Sequence, residues 1–480
     1  MKKTLRVMKF GGTSVGDAAC IARTAQIIAN AARDSGVVVV VSAMGGVTNR
    51  LIEAATRAEV GDRDGATSVL NALRIQHDCA LEALVKRPEP RAIIAERLAD
   101  VLAEGQRLCD GTALLRELTP RTLDTISSIG ERLSAPLFAA SLAELGVRTE
   151  AVNATELIVT DPYHGRAEPV MELTRERSIA RLRPLLEQDI VPVVTGFIGA
   201  TPEGVLTTLG RGGSDYSATS LGAVLGADEI IVWTDVDGVL TADPRLVPGA
   251  RTIPEISYRE AAELAYFGAK VLHPKTLRAV MDAGIPVWIR NSFAPERPGT
   301  KITLEGRSIG GGVKALTAIS DVALITVGGP GIVGLPDVLA RTFSTTAELR
   351  ANVLLISQSS SQNDICFIVS SSDAKGTAEA LRRQFALDLA HQTVEHITLD
   401  PNIAIVAVVG ENMRGIPGVA GRTFSVLGRE GVNIIAIAQG SSECNISFVV
   451  ERKSMKAALE ATHREFALGA AAPQPKTSSP

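Results

Sequence analysis

Lys9-Phe10-Gly11-Gly12-Thr13-Ser14-Val15 follows an apolar run, Leu5-Arg6-Val7-Met8, and leads into a long stretch rich in Ala and Ile. The run reads as a short buried strand and the stretch as a helix. A strand, a glycine turn and a helix N-terminus make an anion site. Glycine lets the backbone approach phosphate oxygens, and the helix's free N–H groups and dipole favour negative charge. Lys9 adds a full positive charge at the strand end. The competing reading is an ordinary βα turn with Thr13 or Ser14 as N-cap, and the glycine pair alone does not choose between the two. The lysine directly before the turn shifts the balance toward phosphate.

Outward from that turn, residues 1–300 alternate strand-like and helix-like stretches. Val37-Val38-Val39-Val40-Val41, between Gly36 and Ser42, reads as a buried parallel strand. The runs 190–194, 229–233 and 286–289 read the same way, with helical patterns at 16–34, 215–226 and 258–284 between them. This predicts an α/β sheet covered by helices on both faces. Residues 50–118, rich in Ala, Leu, Glu and Arg, read as a helical insertion. Pro295, Pro298 and Gly299, then Gly310-Gly311-Gly312, mark a boundary. Beyond it lies an internal repeat. Residues 334–369 and 415–450, offset by 81, share fifteen of 36 positions without a gap, among them Arg341/Arg422, Asn352/Asn433, Gln358/Gln439 and Phe367/Phe448. Two copies are too few for a solenoid. Each reads strand, glycine-rich loop, helix, strand, polar turn, strand, which is a small α+β module. The expected domains are thus 1–300, a first module with its linker strand at 301–395, a second at 396–468, and a disordered Ala/Pro/Ser-rich tail at 469–480.

The bulk numbers exclude several classes. The 480 residues are 45% hydrophobic and 21% charged, with a net charge of −4 and no Lys/Arg run, so a large core is expected and a nucleic-acid partner is not. Five scattered cysteines with no CxxC pair suggest neither a disulfide framework nor a zinc site, which fits a reducing cytoplasm. Arg6 and Lys9 interrupt the N-terminal apolar stretch, against a signal peptide. The five-valine run is too short to span a bilayer. A soluble, cytoplasmic protein is expected.

A second glycine cluster, Gly210-Arg211-Gly212-Gly213-Ser214-Asp215, again joins a strand (205–209) to a helix (216–226). Arg211 offers a planar fork suited to a carboxylate. Asp215 reads as an N-cap when weighed alone. A dinucleotide fingerprint is disfavoured, because the sixth position is Asp215, whose charge repels a pyrophosphate. The P-loop pattern and the protein-kinase motifs are absent. Two such turns, one beside Lys9 and one holding Arg211 and Asp215, suggest a shared polyanion site. A third cluster, Trp233-Thr234-Asp235-Val236-Asp237-Gly238-Val239-Leu240-Thr241-Ala242-Asp243-Pro244-Arg245, follows a strand at the end where open α/β sheets bind ligands. A polar turn is its plainer reading, and it lacks EF-hand spacing. In Phe267-Gly268-Ala269-Lys270-Val271-Leu272-His273-Pro274, Lys270 alone reads as a snorkelling surface lysine and His273 as structural. Ser42 to Asn49 (S-A-M-G-G-V-T-N) offers hydroxyls and backbone to a small polar ligand. Ser127 to Ser134 (S-S-I-G-E-R-L-S) places Glu131 at the start of a helical run, where it reads equally as a first-turn acid.

Taken in order, K-F-G-G-T-S-V, S-A-M-G-G-V-T-N, S-I-G-E-R-L-S, G-R-G-G-S-D, T-D-V-D-G-V-x-T-A-D-P-R and G-A-K-V-L-H-P resemble the aspartate kinases of the amino-acid kinase superfamily. The repeat resembles that family's paired ACT regulatory modules. The resemblance covers about residues 1–468. It implies an amino-acid kinase fold, a mostly parallel sheet covered on both faces, followed by two ferredoxin-like α+β ACT modules. It implies transfer of the γ-phosphoryl group of ATP, carried with Mg2+ held mainly by the phosphates, to the β-carboxylate of L-aspartate. This is a first step toward lysine, threonine and methionine. No protein metal ligands are expected.

Carried over by position, Lys9 and Asp215 are the catalytic pair. Ser42, Thr48, Glu131, Arg211, Gly213 and Ser214 take aspartate, with Arg211 on its α-carboxylate and Glu131 on its ammonium. Lys9, Gly11, Gly12, Ser14, Thr234, Asp235, Leu240, Arg245 and Lys270 hold the nucleotide. Leu240 departs from relatives that carry Tyr there. Gln358, Gln439, Asn352 and Asn433 are the expected effector residues, with threonine as inhibitor, lysine second, and a homodimer through the ACT modules. A carboxylate nucleophile is already ionised at pH 7 and needs no general base, consistent with the lack of an obvious catalytic histidine. Another amino-acid kinase, such as one acting on glutamate, and a non-catalytic amino-acid sensor are the alternatives.

Overall fold

A computed structural model describes residues 3–269, 272–307, 312–329, 336–358, 364–413, 415–440 and 444–469. Among these the chain forms two compact units. The first comprises residues up to 239 with 254–258 and 272–306, and the second comprises 240–253, 259–271 and the residues from 307 on.

The valine run organises the first unit. Strand β1 (Thr4–Phe10) is followed by helix α1 (Ala18–Ala31), and the valines fill β2 (Ser35–Val41). Four helices follow: α2 (Val47–Glu59), α3 (Arg63–Leu84), α4 (Pro88–Leu115) and α5 (Pro120–Glu144). Next come β3 (Thr149–Val152), α6 (Met171–Glu187), β4 (Val191–Thr195), β5 (Ile198–Ala200), β6 (Leu206–Thr208), α7 (Gly213–Leu225) and β7 (Glu229–Thr234). After these the chain forms β8 (Glu255–Ser257), then α8 (Tyr258–Tyr266), which past Tyr258 belongs to the second unit, and then α9 (Pro274–Ala283), β9 (Val287–Asn291) and β10 (Thr300–Thr303). Eight strands form one sheet in the order β3-β4-β2-β1-β7-β9-β10-β8, while β5 and β6 form a separate hairpin. The neighbours β1/β2, β2/β4, β3/β4, β1/β7 and β7/β9 are parallel, and β9/β10 is antiparallel.

A β-branched run in a central parallel strand is covered on both faces. Val37 is 1% exposed and Val38 to Val41 are fully buried, each worth about 1.5 kcal/mol or more in burial. Val37, Val39 and Val41 join the core made with α1 to α5, and α6 and α7 pack on the other face. The expected insertion at 50–118 is the three packed helices α2, α3 and α4. Its α3 buries Ala66, Leu70, Leu73, His77, Ala80, Leu81 and Leu84, the spacing of one helical stripe.

Three local expectations are corrected. The helix after the Lys9 turn is capped by Asp17, whose side chain accepts from Cys20 N at 2.8 Å, not by Thr13 or Ser14. Glu131 lies midway along α5 and not at a helix start. The helix begins earlier because Pro120 suits a first turn and the Thr119 hydroxyl accepts from Thr122 N at 3.1 Å. The helical pattern at 258–284 divides into α8 and α9, with His273 capping α9 by accepting from Lys275 N.

The second unit holds β11 (Ala315–Ile319), β12 (Val322–Gly328), α10 (Pro336–Glu348), β13 (Val353–Gln358), β14 (Asp364–Ser370), α11 (Ser371–Gln384), α12 (Ala386–Ala390) and β15 (His396–Asp400). It continues with β16 (Ile403–Val409), α13 (Val419–Arg429), β17 (Ile434–Ala438), β18 (Asn445–Glu451) and α14 (Met455–Glu465). Two four-stranded sheets result, β13-β14-β12-β15 and β11-β16-β18-β17. These are the two α+β modules, and they correct the expected boundaries twice. Strand β15, assigned to the second module by a break at 395/396, pairs with β12 in the first sheet. The second sheet takes its outer strand, β11, from before the first module.

The single cut at 300/301 also fails. Ala242 and Val247 are buried in the second module's core, and Thr241 Oγ1 lies 3.0 Å from His463 Nε2. Apolar side chains of the 240–253 segment therefore find their burial there. Residues 470–480, most of the expected tail, lie outside the described residues.

Candidate active site

A cleft of about 410 Å³ is lined by Lys9, Gly12, Ser42, Ala43, Met44, Gly46, Thr48, Asn49, Glu131, Phe197 and residues 210–215. Both glycine turns meet here. Lys9 is the penultimate residue of β1, Ser42 follows β2, and Ser214 and Asp215 lie in the first turn of α7, whose N-cap is Gly212 at φ 72°. The cleft therefore sits at the carboxyl ends of parallel strands, the binding side of an open α/β sheet. Lys9 Nζ forms an ion pair with Asp215 Oδ1 at 2.6 Å, with the two side chains 11% and 19% exposed. Asp215 is thus a first-turn acid facing a lysine, and not the cap of α7. Arg211 is exposed on the cleft wall.

Glu131 reaches the cleft floor from α5. Its neighbour Gly130 lets the helix close on the turn after β2, since a Cβ there would sit 2.7 Å from Ala43 Cβ. Glu131 Oε1 accepts from Ala43 N at 3.1 Å, and the buried Oε2 has no hydrogen-bond partner. Burial pushes the Glu131 carboxyl up to about 8, against a smaller lowering by the Ala43 N–H. A half-satisfied buried carboxylate awaits a donor, and a cation most of all.

Of the expected residues, the cleft gathers Lys9, Gly12, Ser42, Thr48, Glu131, Arg211, Gly213, Ser214 and Asp215. Others lie elsewhere. Ser14 is 1% exposed, with its hydroxyl 2.8 Å from Ser292 Oγ, so it faces the fold and not a phosphate. Gly11 lends its N–H to Trp233 O. A Cβ on it would stand 3.3 Å from Lys9 Nζ, so a larger residue would press on the lysine head.

Thr234 and Asp235 belong to the first unit, where the Thr234 hydroxyl donates to Asp235 Oδ1 at 3.2 Å. Leu240 and Arg245 belong to the second, where Arg245 is exposed and held by Asp243 at 2.6 Å. Lys270 lies outside the described residues. The aspartates of the third cluster do not converge: Asp237 pairs with Arg297 and with Asn291 Nδ2, Asp243 with Arg245. The effector residues Asn352, Gln358, Asn433 and Gln439 are all exposed. Asn352 and Gln358 flank opposite ends of β13, about 20 Å apart at strand rise, so one free amino acid reaches only one of them within a module.

Sequence reasoning missed Phe197. It lines the cleft at φ 69°, a left-handed conformation uncommon outside glycine. Its N–H donates to Ser217 Oγ, and its ring fills the space a Cβ on Gly213 would take. A Thr-Gly-Phe triplet carries no signal of this.

The model of the amino acid kinase family matches residues 4–291, and that of the ACT domain matches 325–385 and 406–466. The chain is 36% identical over 469 residues to the Arabidopsis thaliana chloroplastic bifunctional aspartokinase/homoserine dehydrogenase 1, a match covering 96% of this chain and 51% of that one. It thus spans about half the length of the bifunctional relatives it matches. It is 35% identical to chloroplastic aspartokinase 1 of the same plant, over 96% of this chain and 80% of that one. Among solved structures, E. coli aspartokinase III in complex with aspartate and ADP superposes with a TM-score of 0.79 at 32% identity, over 96% of this chain and 99% of that one. The same enzyme with lysine and aspartate gives 0.79 at 31% identity, with the same coverage.

Proposed function

The chain belongs to the amino acid kinase family, and from that premise we propose that it is an aspartate kinase, transferring the γ-phosphoryl group of ATP to the β-carboxylate of L-aspartate. The observation that carries the reading is the cleft itself. One buried carboxylate has an oxygen without a donor, one arginine is open, and one Lys–Asp pair stands between the two glycine turns. An α-amino acid presents one ammonium and one carboxylate to match Glu131 and Arg211. The solved E. coli relative, found with aspartate and ADP, supports the same choice of ligands.

In the proposed reaction a β-carboxylate oxygen attacks Pγ. The new O–P bond forms as the bond from Pγ to the bridging oxygen breaks, and ADP leaves with the electron pair. Such a transition state asks for positioning and cations. Lys9 is proposed to meet the charge spreading over the γ-phosphoryl oxygens. Asp215, fixed at the start of α7, holds the ammonium of Lys9 in place. Gly12 gives the phosphates close backbone approach, and Ser42, Thr48, Gly213 and Ser214 border the substrate. Thr234, Asp235, Leu240, Arg245 and Lys270 remain the proposed nucleotide residues. Mg2+ is proposed to arrive on the phosphates and neutralise them. Among the described residues no three His, Cys, Asp or Glu side chains converge to hold a metal.

The two modules are proposed to bind an inhibitory amino acid, threonine before lysine, at Gln358 and Gln439. They are also proposed to join two copies of the chain, supported by exposed Ile356 and Ile437 at equivalent repeat positions. Five free cysteines support a reducing compartment, the cytoplasm in this reading. No described helix is long and apolar enough to cross a membrane.

A coupled ADP-release assay with ATP and aspartate tests the activity. Turnover with aspartate and not glutamate is expected. Turnover with glutamate alone points to another kinase of the family, and none with either points to a sensor. Threonine at millimolar concentration is expected to inhibit, and indifference to it removes the threonine assignment.

A further inference from the structure

Glu131 is not the only buried acid on α5. Asp124 stands seven residues earlier, 3% exposed, two helical turns away on the same face and about 10 Å along the axis. It does not line the cleft. Its Oδ1 accepts from Thr208 Oγ1 at 2.6 Å, its Oδ2 from Thr208 N at 3.1 Å, and both accept from Gly165 N at 3.0 Å. His164 Nδ1 lies 2.9 Å from Oδ2. A single carboxylate thus gathers the end of β6 and the 164–165 turn onto α5.

Both segments support the arginine turn. Thr208 is two residues before Gly210, and its carbonyl accepts from Ala167 N at 2.9 Å. Gly210 takes φ 75°, and a Cβ on it would sit 2.8 Å from the carbonyl oxygen of Gly165. The backbone that carries Arg211 therefore rests against the turn that Asp124 holds. Buried carboxylates accepting several N–H and O–H bonds rigidify what they join.

We propose that Asp124 is a positioning residue for recognition of the amino-acid substrate. Helix α5 acts as a ruler: Glu131 at one point receives the ammonium, and Asp124, through Thr208 and Gly165, sets where Arg211 meets the α-carboxylate. This rests on the aspartate kinase reading above. Asp124 touches no substrate; it fixes the spacing between two groups that do. Loss of the brace loosens the amino-acid clamp and leaves the Lys9 side of the cleft, built on β1, in place.

The test is steady-state kinetics and calorimetric L-aspartate binding on the full chain carrying Asp124→Asn, Thr208→Val or Thr208→Ser, or the first two together. The expected result is a tenfold or greater rise in KM and Kd for aspartate in Asp124→Asn and Thr208→Val, with KM for ATP within twofold. Thr208→Ser, which keeps the hydroxyl, stays near the parent. The double variant is no worse than the worse single one, because both remove one linkage. A parallel rise in both KM values, or unfolding of both single variants, makes Asp124 a general brace and overturns the proposal. So does an unchanged aspartate KM in Asp124→Asn and Thr208→Val when the parent phosphorylates aspartate. A parent that neither binds nor phosphorylates aspartate overturns the activity reading first and this proposal with it.

Discussion

Two lysine–carboxylate pairs of nearly equal length lie in the two units, and they do different things. Lys9 meets Asp215 at 2.6 Å on the wall of an open cleft, with both side chains still partly exposed. Lys314 meets Glu260 at 2.7 Å inside the second unit, with side chains 2% and 0% exposed. Glu260 also accepts from Glu411 N at 2.8 Å, so the inner pair is tied into backbone. A buried pair with its bonds satisfied fixes structure and is costly to break from one side. A pair left at a cleft keeps a cation available for an incoming anion. Contact distance does not separate the two roles; access does.

Removing each lysine breaks that comparison at its strongest point. Lys9→Ala is expected to lower kcat by about 10³-fold or more, roughly 4 kcal/mol of transition-state stabilisation, with a melting temperature close to the parent. Near-normal turnover in the coupled assay removes Lys9 from the chemistry. Lys314→Met leaves Glu260 buried without its cation, and about 3–5 kcal/mol of stability should be lost in urea unfolding. Adding Glu260→Gln should return part of it. A Lys314→Met protein as stable as the parent means that the inner pair contributes nothing net.

What the chain disclosed of all this before folding follows a physical division. Local periodicity disclosed the sheet, and the internal repeat disclosed the modules. Strands β12 and β14 begin at 322 and 364, and their repeat partners β16 and β18 begin at 403 and 445, each pair offset by 81. Even the irregularities recur, between Val353 and Leu355 and between Ile434 and Ala436. Arg341 lies over the Phe385 ring and Arg422 over Phe466, both centroids at 4.5 Å.

Partner choice across long separations left no such trace. Nothing in the composition of β11 says that it pairs with β16 across the whole first module, because both are simply apolar strands. The cleft divides the same way. Lys9 and Arg211 were legible because glycine turns flank them. Glu131 was legible as a residue but misplaced on its helix, although Thr119-Pro120 carries the start signal. Phe197 and Asp124 were illegible, since one owes its place to a backbone conformation and the other to hydrogen bonds from two distant segments.

Glu131 sharpens the comparison from the other side, as an acid whose cation is absent until substrate arrives. Glu131→Gln keeps an oxygen for Ala43 N and loses the charge. Aspartate affinity should fall about ten- to hundredfold, with less effect on KM for ATP. In the parent, burial holds the carboxyl protonated up to about 8, and only the ionised form pairs with an ammonium. The value of kcat/KM for aspartate should therefore rise with pH between 6 and 8 by up to tenfold per unit. The Gln variant should lose that rise, and an unchanged profile in it assigns the titration to another group.

The smallest expected effect is on the stability of the unliganded protein. Glu131 ionises near 4.5 in the unfolded chain and near 8 in the fold. Between those values the fold keeps a proton that the unfolded chain releases. The stabilising contribution is thus complete below about 4.5 and lost as pH rises through about 8. Gln titrates nowhere in this range, so Glu131→Gln should be the more stable protein at pH 8 by about 1–3 kcal/mol, and the margin should shrink toward pH 5. Saturating aspartate should reverse the order, because its ammonium supplies the missing partner to the parent alone. A margin that stays constant between pH 5 and pH 8 in ligand-free melting curves would mean that Glu131 already has its cation, and the cleft would lose the feature that distinguishes it from the closed pair of Lys314 and Glu260.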